Sequence, residues 1–506
     1  MPLTINFIQS TVLFFIKGGK IIILSQIENL KPESVFQFFR EISQIPRGSG
    51  NTKAIAEYCI DFAKKRNLKF ASDSYGNVVI YSDGTEGYED SETIILQAHI
   101  DMVCEKDQDS QKNMKTDSID ICTDGKYLWA DGTTLGGDDG IGVTYILAIL
   151  DSDSIPHPPI EALFTTDEEI GLLGASNLDA SLLSGKRLIN IDSEEEGILT
   201  VSCAGGIRSV ITFPLKYSNE FSEKCAVKIT VNGLIGGHSG VDIDKHRKNA
   251  IKVLSHVLEG ISQNTDYRIC EVSGGTKENI IPKEAQATIC FEKKYSDTVF
   301  KTVEKFNTII KKECLNSEPD VCINSSVCVI PEKMFDRITT KKIIFTLMHA
   351  PDGIATMSHN IPGFVESSLN LGYVWSEKND LKMGVLIRSN TSTGKTLIVQ
   401  RLSSFAEYIG GKAEYMADYP EWEYKADSPL RDIMSRVYKD VYNDEALVCG
   451  IHAGLECGIL SDKLKNADIV SFGPDIENAH TTGERLNIES AQRCWKYLKA
   501  VLKELK

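Results

Sequence analysis

Residues 93–103 read TIILQAHIDMV, an apolar run that passes without alternation into a histidine and an aspartate. A continuous apolar run of this kind suits a strand that is covered on both faces. Comparable runs recur at residues 161–164, 188–191 and 469–472, and each is followed closely by His, Asp or Glu. In an open α/β sheet the carboxyl ends of the strands form the ligand crevice, so we expect these polar side chains to converge.

The remaining pattern predicts a chain of several domains. Two amphipathic helices are predicted within residues 32–66, on either side of the break PRGSG at 46–50. Between about 207 and 420 the strands alternate more regularly, and those at 286–292, 364–373 and 381–388 are predicted to be half exposed. We predict an α/β fold with a mixed, mostly parallel sheet and an inserted α+β domain. The predicted segments are one domain at 24–206 and 421–506 and the inserted domain at 207–420.

Composition and charge restrict the class of protein. The chain has 506 residues, of which 42% are apolar and 25% charged, as in soluble globular proteins. A net charge of −16 without a local basic stripe argues against a nucleic-acid partner. The 13 cysteines show no CxxC pair, which indicates buried thiols in a reducing compartment and predicts a cytoplasmic protein.

The amino-terminal residues 1–23 form an apolar leader that does not fit a membrane anchor or a secretion signal. Lys17 and Lys20 interrupt the apolar runs, so an uninterrupted span of about 20 apolar residues is missing. No positive region precedes the leader, and no small-residue cleavage site follows it. We therefore predict no membrane partner, and we expect residues 1–23 to be absent from a native product that starts at Leu24.

The first candidate site segment is QAHIDMV at 97–103. A histidine that leaves a buried strand can bind a metal through one ring nitrogen, while a nearby carboxylate fixes its tautomer. His99 and Asp101 have this spacing. Taken alone, the segment fits better a histidine and an aspartate that water solvates at the end of a strand.

The second segment is TTLGGDDGIG at 133–142, in which four glycines surround Asp138 and Asp139. A turn with an aspartate N-cap explains it equally well. Phosphate binding is disfavoured because the segment has no GKS or GKT and carries two acids. A carboxylate between glycines can instead bridge two cations, since little bulk crowds the loop.

The third segment, TTDEEIG at 165–171, ends a buried strand in three acids. A solvated charge run is the competing explanation. Apolar neighbours make like-charge crowding costly unless a cation or a proton neutralises it. Two adjacent acids also allow one to bind metal while the other transfers protons.

Two further segments place polar residues after apolar runs. In NIDSEEEG at 190–197 we assign Asp192 to the site and leave the three glutamates as a solvated loop. In the loop that begins at Gly473 and follows a strand, the candidate is His480. Two histidines and three carboxylates suit a pair of borderline divalent ions such as Zn²⁺, whereas Ca²⁺ or Mg²⁺ would prefer oxygen ligands alone.

Taken together, the segments QAHIDMV, TTLGGDDGIG, TTDEEIG, NIDSEEEG, CAGG, GGHSG and HAGLECG, with the closing GP…H, resemble metallopeptidase family M20. Within it they resemble the branch of aminoacyl-histidine dipeptidases, to which DSEEEG and HAGLECG are most specific. The resemblance runs from about residue 24 to 506. It implies a cis peptide bond between Asp138 and Asp139, and Asp139 departs from the asparagine that this branch often has there.

The resemblance implies two Zn²⁺ ions, with Co²⁺ or Mn²⁺ as substitutes, and one role for each residue of the metal site. Asp138 would bridge the two ions. His99 and Asp192 would complete one site, and Glu169 and His480 the other. Glu168 would be the general base for a water activated by the metals, and Asp101 would support His99.

The resemblance also implies residues that bind the substrate. The domain at 24–206 and 421–506 would be the catalytic domain, and the inserted domain at 207–420 its lid domain. His238 in GGHSG would stabilise the oxyanion, commonly from a partner subunit, so a homodimer through the lid domain is expected. Arg388 would hold the free carboxylate of a dipeptide. The further substrate-binding candidates are Gly454, Asn279 and His452, and Glu456 is a pocket candidate. Without the resemblance each is explained as well by a surface arginine, a loop histidine, a turn glycine, a locally satisfied asparagine or a core pair of His452 with Glu456.

The resulting expectation is a zinc-dependent dipeptidase that hydrolyses Xaa-His dipeptides such as β-alanyl-histidine, and other dipeptides with looser specificity. The enzymatic alternative is an aminoacylase, deacetylase or tripeptidase of the same family. A non-catalytic peptide-binding module is the alternative from another class, and the presence of all the expected ligands together with Glu168 argues against it.

Overall fold

The computed structural model describes residues 29–218 and 224–506, together with strands at Leu3–Phe7, Ser10–Lys17 and Lys20–Ile23. Leu24, the predicted start of the native product, lies outside the described residues. The hypothesis that residues 1–23 are not translated stays a prediction.

The described helices and strands are numbered here along the chain. The strands are β1 (Leu3–Phe7), β2 (Ser10–Lys17), β3 (Lys20–Ile23), β4 (Lys69–Ser72), β5 (Val78–Ser82), β6 (Ile94–His99), β7 (Ile121–Thr123), β8 (Tyr127–Ala130), β9 (Ile160–Thr165), β10 (Arg187–Asn190), β11 (Ile198–Cys203), β12 (Gly205–Pro214), β13 (Tyr217–Ser218), β14 (Lys224–Asn232), β15 (Gly237–His238), β16 (Tyr267–Gly275), β17 (Ile280–Ile281), β18 (Ala285–Glu292), β19 (Cys322–Val327), β20 (Met334–Phe335), β21 (Gly353–Met357), β22 (Val365–Ser376), β23 (Asp380–Ser389), β24 (Lys412–Tyr419), β25 (Leu447–Ile451), β26 (Asp468–Ser471), β27 (Ile476–Glu477) and β28 (Arg485–Asn487). The helices are α1 (Glu33–Ser43), α2 (Lys53–Lys65), α3 (Gly137–Leu150), α4 (Leu173–Asn177), α5 (Ala250–Ser262), α6 (Ser296–Glu313), α7 (Arg337–His349), α8 (Ser392–Tyr408), α9 (Pro429–Tyr442), α10 (Glu456–Lys463) and α11 (Ile488–Glu504).

The chain divides into two compact units. The first unit comprises residues 1–201, 424–450 and 455–506, and the second comprises 202–423 and 451–454. The domain boundaries predicted from the sequence stay a prediction.

The first unit is built around an eight-stranded mixed sheet with the strand order β25-β11-β26-β10-β6-β9-β5-β4. Its four central strands, β26, β10, β6 and β9, pair in parallel, and β5 and β4 continue the sheet in the antiparallel sense. Helix α3 is buried all round, as expected for a helix that is apolar on every face. The predicted mixed α/β class is confirmed.

The parallel strands end at the same edge of the sheet. His99, the last residue of β6, is in register with Thr165, the last residue of β9. Asn190, the last residue of β10, is in register with Gln97 on β6 and with Ser471, the last residue of β26. The segments that follow these strands therefore start side by side, as the sequence analysis expects.

The second unit contains a nine-stranded antiparallel sheet with the order β19-β14-β18-β16-β22-β23-β12-β24, and β21 pairs with β22. One face of this sheet is apolar and packs in a core with residues of α5, α6, α7 and α8. The prediction that residues 364–373 and 381–388 form half-exposed strands is wrong, because β22 and β23 are mostly buried. Their alternating polar residues, such as Ser368 and Asn370, are covered and hydrogen-bonded to His452 and to backbone carbonyl groups.

Two observations bear on the composition. Among the residues that the structure describes, we find no helix that is both long and apolar enough to cross a membrane. Within residues 29–218 and 224–506, where all 13 cysteines lie, none forms a disulfide bond, and Cys104 is exposed.

Candidate active site

Asp138 lies at the centre of a cluster of acids and histidines in the first unit. It sits in the first turn of α3 with non-helical backbone angles, and the Asp138–Asp139 peptide bond is cis, as the resemblance implies. Its Oδ1 lies 3.0 Å from Nε2 of His99, and its Oδ2 lies 3.0 Å from Nε2 of His480. One carboxylate thus faces two imidazoles with its two separate oxygens.

Two sets of side chains share Asp138. On one side, Nε2 of His99 lies 3.5 Å from Asp192, and on the other, Nε2 of His480 lies 3.0 Å from Glu169. In each set one ligand atom per residue lies within 4.8 Å of the others. These are the two sets that the sequence analysis assigns to two metal ions. A third set of the same kind joins His99 with Glu168 and Glu169.

Asp101 is fully buried and holds several parts of this cluster together. Its Oδ1 lies 3.4 Å from Nδ1 of His99 and accepts the backbone N–H of Glu168 at 3.0 Å. Its Oδ2 accepts the hydroxyl of Ser49 at 2.7 Å and the backbone N–H of Glu169 at 3.3 Å. A proton on Nδ1, the ring nitrogen on the side of Asp101, would leave Nε2 of His99 free to bind a metal.

The cluster holds more negative charge than its burial favours. Burial raises the pKa of Asp192 to about 6 and raises that of Glu168 well above its ordinary value. Hydrogen bonds with Asp138 and Glu169 raise the pKa of His480 to about 11. Carboxylates crowded in this way require compensation by protons or by cations.

Asp139, the departure from the family pattern, is also buried. Its Oδ2 accepts the backbone N–H of His99 at 3.2 Å, and its Oδ1 accepts that of Gly142 at 3.2 Å. Burial, followed by the charge of Asp192, raises the pKa of its carboxyl group well above the ordinary value. Asp139 therefore contacts backbone on both sides.

The donor set fits divalent metal ions. Imidazole nitrogens mixed with carboxylate oxygens are typical ligands of zinc and other borderline ions. Oε1 of Glu169 is buried without a hydrogen-bond partner among the described residues, which leaves an acceptor available to a cation. His99, Asp138, Asp192, Glu169 and His480 can thus hold metal.

Below this cluster, a buried network lies between the central strands. Gln97 donates to Oε2 of Glu456 at 2.7 Å, and the hydroxyl of Thr165 donates to the same oxygen at 2.6 Å. Asn190 donates to Oε1 of Gln97 at 2.6 Å. Burial raises the pKa of Glu456 to about 7. Glu456 thus finds its partners on β6 and β9.

In the second unit, Arg388 and His238 form a cluster of hydrogen-bond donors. Arg388 is buried near the end of β23, and its Nη2 lies 3.3 Å from Nε2 of His238. The backbone N–H groups of Gly240 and Val241 both donate to Nδ1 of His238 at 3.3 Å. Burial, followed by the charge of Arg388, lowers the pKa of His238, so the ring is neutral. Because Nδ1 accepts two backbone N–H groups, the proton of the neutral ring is assigned to Nε2. The imidazole N–H and the guanidinium group are therefore suited to binding one anion together.

The other substrate-binding candidates lie around the same pair. Nη1 of Arg388 donates to the hydroxyl of Tyr419 at 3.1 Å, and a Cβ atom at Gly454 would lie 3.0 Å from the Tyr419 ring. The carbonyl of Asn279 accepts the backbone N–H of Ser239 at 2.9 Å. The second unit thus brings Arg388, Gly454 and Asn279 into the neighbourhood of His238.

His452 is buried in a network of its own within the second unit. Its Nε2 lies 2.7 Å from the hydroxyl of Ser368, and its Nδ1 lies 3.2 Å from Oδ1 of Asn390. Burial, with the charge of Arg388 in addition, lowers the pKa of His452 to about 3. Its ring is therefore neutral, and its two nitrogens contact Ser368 and Asn390 rather than Glu456. A role for His452 in binding substrate stays a prediction.

Sequence reasoning missed several residues that hydrogen-bond to these clusters or to the loops that carry them. Ser49 and Arg47 lie in PRGSG, which the sequence shows only as a break between helices, and Tyr419 gives no signal beyond an aromatic residue at the end of a strand. Glu484 follows His480 by four residues and is buried. A buried charge so close to a candidate ligand is the kind of signal that only the folded chain reveals.

Comparison with known proteins places these features. A family model described as peptidase family M20/M25/M40 matches residues 95–504. The chain belongs to this peptidase family. The resemblance to family M20 seen in the sequence is therefore confirmed.

The chain is similar to named M20 relatives over nearly its full length. It is 34% identical to the cytosol non-specific dipeptidase of Escherichia coli (strain K12), and the match covers 95% of this chain and 99% of the relative. Aminoacylhistidine dipeptidase from Vibrio alginolyticus is 36% identical with a TM-score of 0.89, and the match covers 95% of this chain and 98% of that one. Aminopeptidase PepT from Bacillus cereus ATCC 10987 has a TM-score of 0.54 at 15% identity over 94% of this chain and 99% of that one, so it shows the fold alone.

Proposed function

We propose that the chain is a metal-dependent dipeptidase that hydrolyses Xaa-His dipeptides such as β-alanyl-histidine, and other dipeptides with less selectivity. The observation that carries the proposal is Asp138, whose two oxygens each face a histidine at 3.0 Å within two overlapping sets of metal-binding side chains. The names of the two similar dipeptidases, from Escherichia coli and Vibrio alginolyticus, support the substrate class.

The proposed cofactor is a pair of Zn²⁺ ions that share Asp138, for which Co²⁺ or Mn²⁺ can substitute. One ion would be held by His99 and Asp192, and the other by Glu169 and His480, in the two sets described above. When bound, divalent cations lower the pKa of water and polarise the carbonyl group of the scissile bond. Mixed nitrogen and oxygen ligands favour zinc over calcium or magnesium.

Glu168 is the proposed general base. Its backbone N–H is fixed by Asp101, and the neighbouring Glu169 belongs to one of the metal-binding sets, so Glu168 would lie beside the ions when they are bound. Burial raises its pKa, which brings the carboxylate closer to the proton affinity that a base needs near neutral pH. Glu168 takes a proton from the attacking water and later gives it to the amine that leaves.

The second unit supplies the proposed groups that bind anionic parts of the substrate. Arg388 binds the free carboxylate of the dipeptide, since a guanidinium group can donate to both carboxylate oxygens. The N–H of His238 donates to the oxyanion that forms during attack. The backbone of Gly454 and the side chain of Asn279 add hydrogen bonds to the carboxylate. His452 supports this proposed binding region through its contacts with Ser368 and Asn390.

We also propose a cytoplasmic homodimer that forms through the second unit. The word "cytosol" in the name of the Escherichia coli relative supports the location. Sedimentation velocity of the purified protein tests the dimer, and a monomer at micromolar concentration contradicts it.

The test of the function is a substrate panel assayed before and after removal of metal. The panel contains β-alanyl-histidine, several α-dipeptides, a tripeptide and an N-acetyl amino acid. We expect hydrolysis of the dipeptides, its loss after chelation and its return on addition of Zn²⁺. Turnover that survives complete removal of metal contradicts the proposed chemistry, and hydrolysis of only the tripeptide or only the N-acetyl compound contradicts the proposed substrate class.

A further inference from the structure

Glu484 anchors the loop that carries Asp138. Its side chain is buried, and its two oxygens accept hydrogen bonds from four consecutive backbone N–H groups. Oε2 accepts those of Leu135 at 2.7 Å and Gly136 at 2.9 Å. Oε1 accepts those of Gly137 at 2.7 Å and Asp138 at 3.4 Å. A single carboxylate therefore fixes four consecutive peptide groups that end at the proposed bridging residue.

Arg47 also anchors this loop, but it donates to carbonyl groups where Glu484 accepts from N–H groups. Its guanidinium group is buried, and Nη2 donates to the carbonyl of Gly136. Nη1 donates to the carbonyl groups of Ile100 at 3.1 Å and Asp101 at 2.8 Å. The N–H of Gly136 thus donates to Glu484, and the C=O of Gly136 accepts from Arg47.

The anchored loop leaves no space for a side chain at residue 136. This glycine has a φ of 69°, in the left-handed region that favours glycine. A Cβ atom there would lie 2.5 Å from Nη2 of Arg47 and 2.7 Å from the sulphur of Met102. The position of the loop is therefore specified on both sides of residue 136.

These contacts join the three chain segments that carry Asp138, His99 and His480. Glu484 follows His480 by four residues and binds the peptide groups that lead into Asp138. Arg47 binds the two carbonyl groups directly after His99 and also that of Gly136. A shift of either charged side chain would change the distance between Asp138 and one of its two histidines.

Burying the charged side chains of Glu484 and Arg47 costs free energy of folding, so a contribution to stability alone does not explain the pair. Removing an ion from water costs several kcal/mol, which hydrogen bonds and an opposite charge only partly return. The carboxylate of Glu484 and the guanidinium group of Arg47 bind the two ends of the same peptide group, the N–H of Gly137 and the C=O of Gly136. Apolar packing could not orient this loop in the same way, because the groups that need partners are backbone N–H and C=O groups.

We infer that Glu484 and Arg47 are positioning residues that act as one unit and set the affinity of the Asp138-centred cluster for divalent metal. The inference rests on the proposed metal-dependent function. Neither side chain is proposed to touch metal or substrate. Their effect passes through the peptide groups of residues 135–138.

The experiment measures Zn²⁺ binding to the metal-free full chain by competition with a chromophoric chelator. Glu484→Gln keeps the shape of the side chain but replaces an acceptor with an N–H donor that faces backbone N–H groups. We expect its affinity for Zn²⁺ to fall about 10- to 100-fold, the usual cost of losing a group that orients metal ligands. Glu489→Gln, at an exposed glutamate in the first turn of α11, is the matched control and keeps the wild-type affinity.

Two further measurements separate positioning from a general loss of folding. The visible spectrum of the Co²⁺-loaded protein reports ligand geometry, and we expect it to change in Glu484→Gln while the far-ultraviolet circular dichroism stays that of the wild type. Arg47→Lys keeps the charge but cannot serve the same three carbonyl groups, so its affinity falls too. If the two residues act as a unit, the double variant loses less affinity than the sum of the single losses.

Glu484→Asp and Arg47→Lys replace the first variant if Glu484→Gln does not fold, because both keep the buried charge. Wild-type affinity and an unchanged Co²⁺ spectrum in these variants overturn the inference, and additive losses overturn the claim that the two residues act as one unit. A wild-type protein that binds no Zn²⁺ or hydrolyses no dipeptide is a failure of the proposed function instead.

Discussion

The two units of the molecule each bury a polar cluster, and the clusters have opposite character. In the first unit, Asp138, Asp192 and Glu169 crowd acceptor oxygens around two histidines. In the second unit, Arg388 and His238 place donors side by side, and Nε of Arg388 is buried without a partner among the described residues. A buried group without its counterpart is costly, so the first cluster calls for cations and the second for an anion. The proposed activity needs both properties, because it requires metal cations and a substrate with a free carboxylate.

Asp138→Ala gives the largest effect expected in the acceptor cluster. Because both sets of metal-binding side chains include Asp138, its loss should remove bound metal from both and reduce turnover below detection. Mass spectrometry of metal content per chain, together with a dipeptide assay, checks the result. Asp109→Ala, at an exposed aspartate of the same unit, should keep metal and activity. Full metal content in Asp138→Ala would contradict the assignment of the bridge.

Glu168→Gln tests the same cluster without removing a proposed ligand. The amide cannot take a proton from water, so we expect kcat to fall about 10²- to 10⁴-fold. Metal content should stay near the wild-type value, and Glu195→Gln, at an exposed glutamate, should behave as the wild type. A variant with normal kcat would show that the base is another residue.

Arg388→Met tests the donor cluster. A hydrogen bond to a charged group is worth about 1.5–3 kcal/mol, so KM for a dipeptide should rise about 10- to 150-fold. A dipeptide amide, which lacks the free carboxylate, should be turned over equally by the variant and the wild type. Arg401→Met, at an exposed arginine on α8, provides the control. Equal losses for the acid and the amide would mean that Arg388 supports the fold rather than the carboxylate.

The smallest expected effect concerns stability and the buried imidazole of the second unit. Burial lowers the pKa of His452 to about 3, below its value in the unfolded chain, so the unfolded state binds more protons as the pH falls towards this value. Between about pH 7 and about pH 5, this single group should reduce the free energy of unfolding by about 2 kcal/mol.

Denaturant unfolding across that pH range, compared between the wild type and His452→Gln, measures this contribution. The variant should show a shallower dependence of unfolding free energy on pH. His359→Gln, at an exposed histidine of the same unit, is the matched control variant. Parallel curves for wild type and His452→Gln would contradict the neutral, buried state of His452.

The signal that predicts the acceptor cluster is mostly local in the sequence. His99 ends a parallel strand, Asp192 and Glu169 follow parallel strands within a few residues, and Asp138 starts the apolar helix α3, and the topology of a parallel sheet brings such ends together. The proposed positioning residues Arg47 and Glu484 could not be found in this way. Their partners are backbone groups of distant loops, and nothing in the sequence tells a buried ion from an exposed one.

The exposure of β22 and β23 was the other error of sequence reasoning, and it has a physical cause. Alternation of polar and apolar residues usually means that one face of a strand meets water. Here Ser368 and Asn370 meet His452 and the carbonyl groups of Glu278 and Ile280 instead. The period of two was correct, but it marked a face covered by hydrogen-bonding loops rather than by solvent.

Asp101 has a practical meaning for anyone who wishes to redesign this centre for a different cation. One carboxylate lies 3.4 Å from Nδ1 of His99 and accepts the main-chain N–H groups of both Glu168 and Glu169. A change in the turn after β9 that alters the proposed ligand Glu169 would therefore also move Glu168, the proposed base. Under the proposed function, selectivity for the ion and competence in hydrolysis are thus coupled through Asp101, and changing one independently would first require a new anchor for the other.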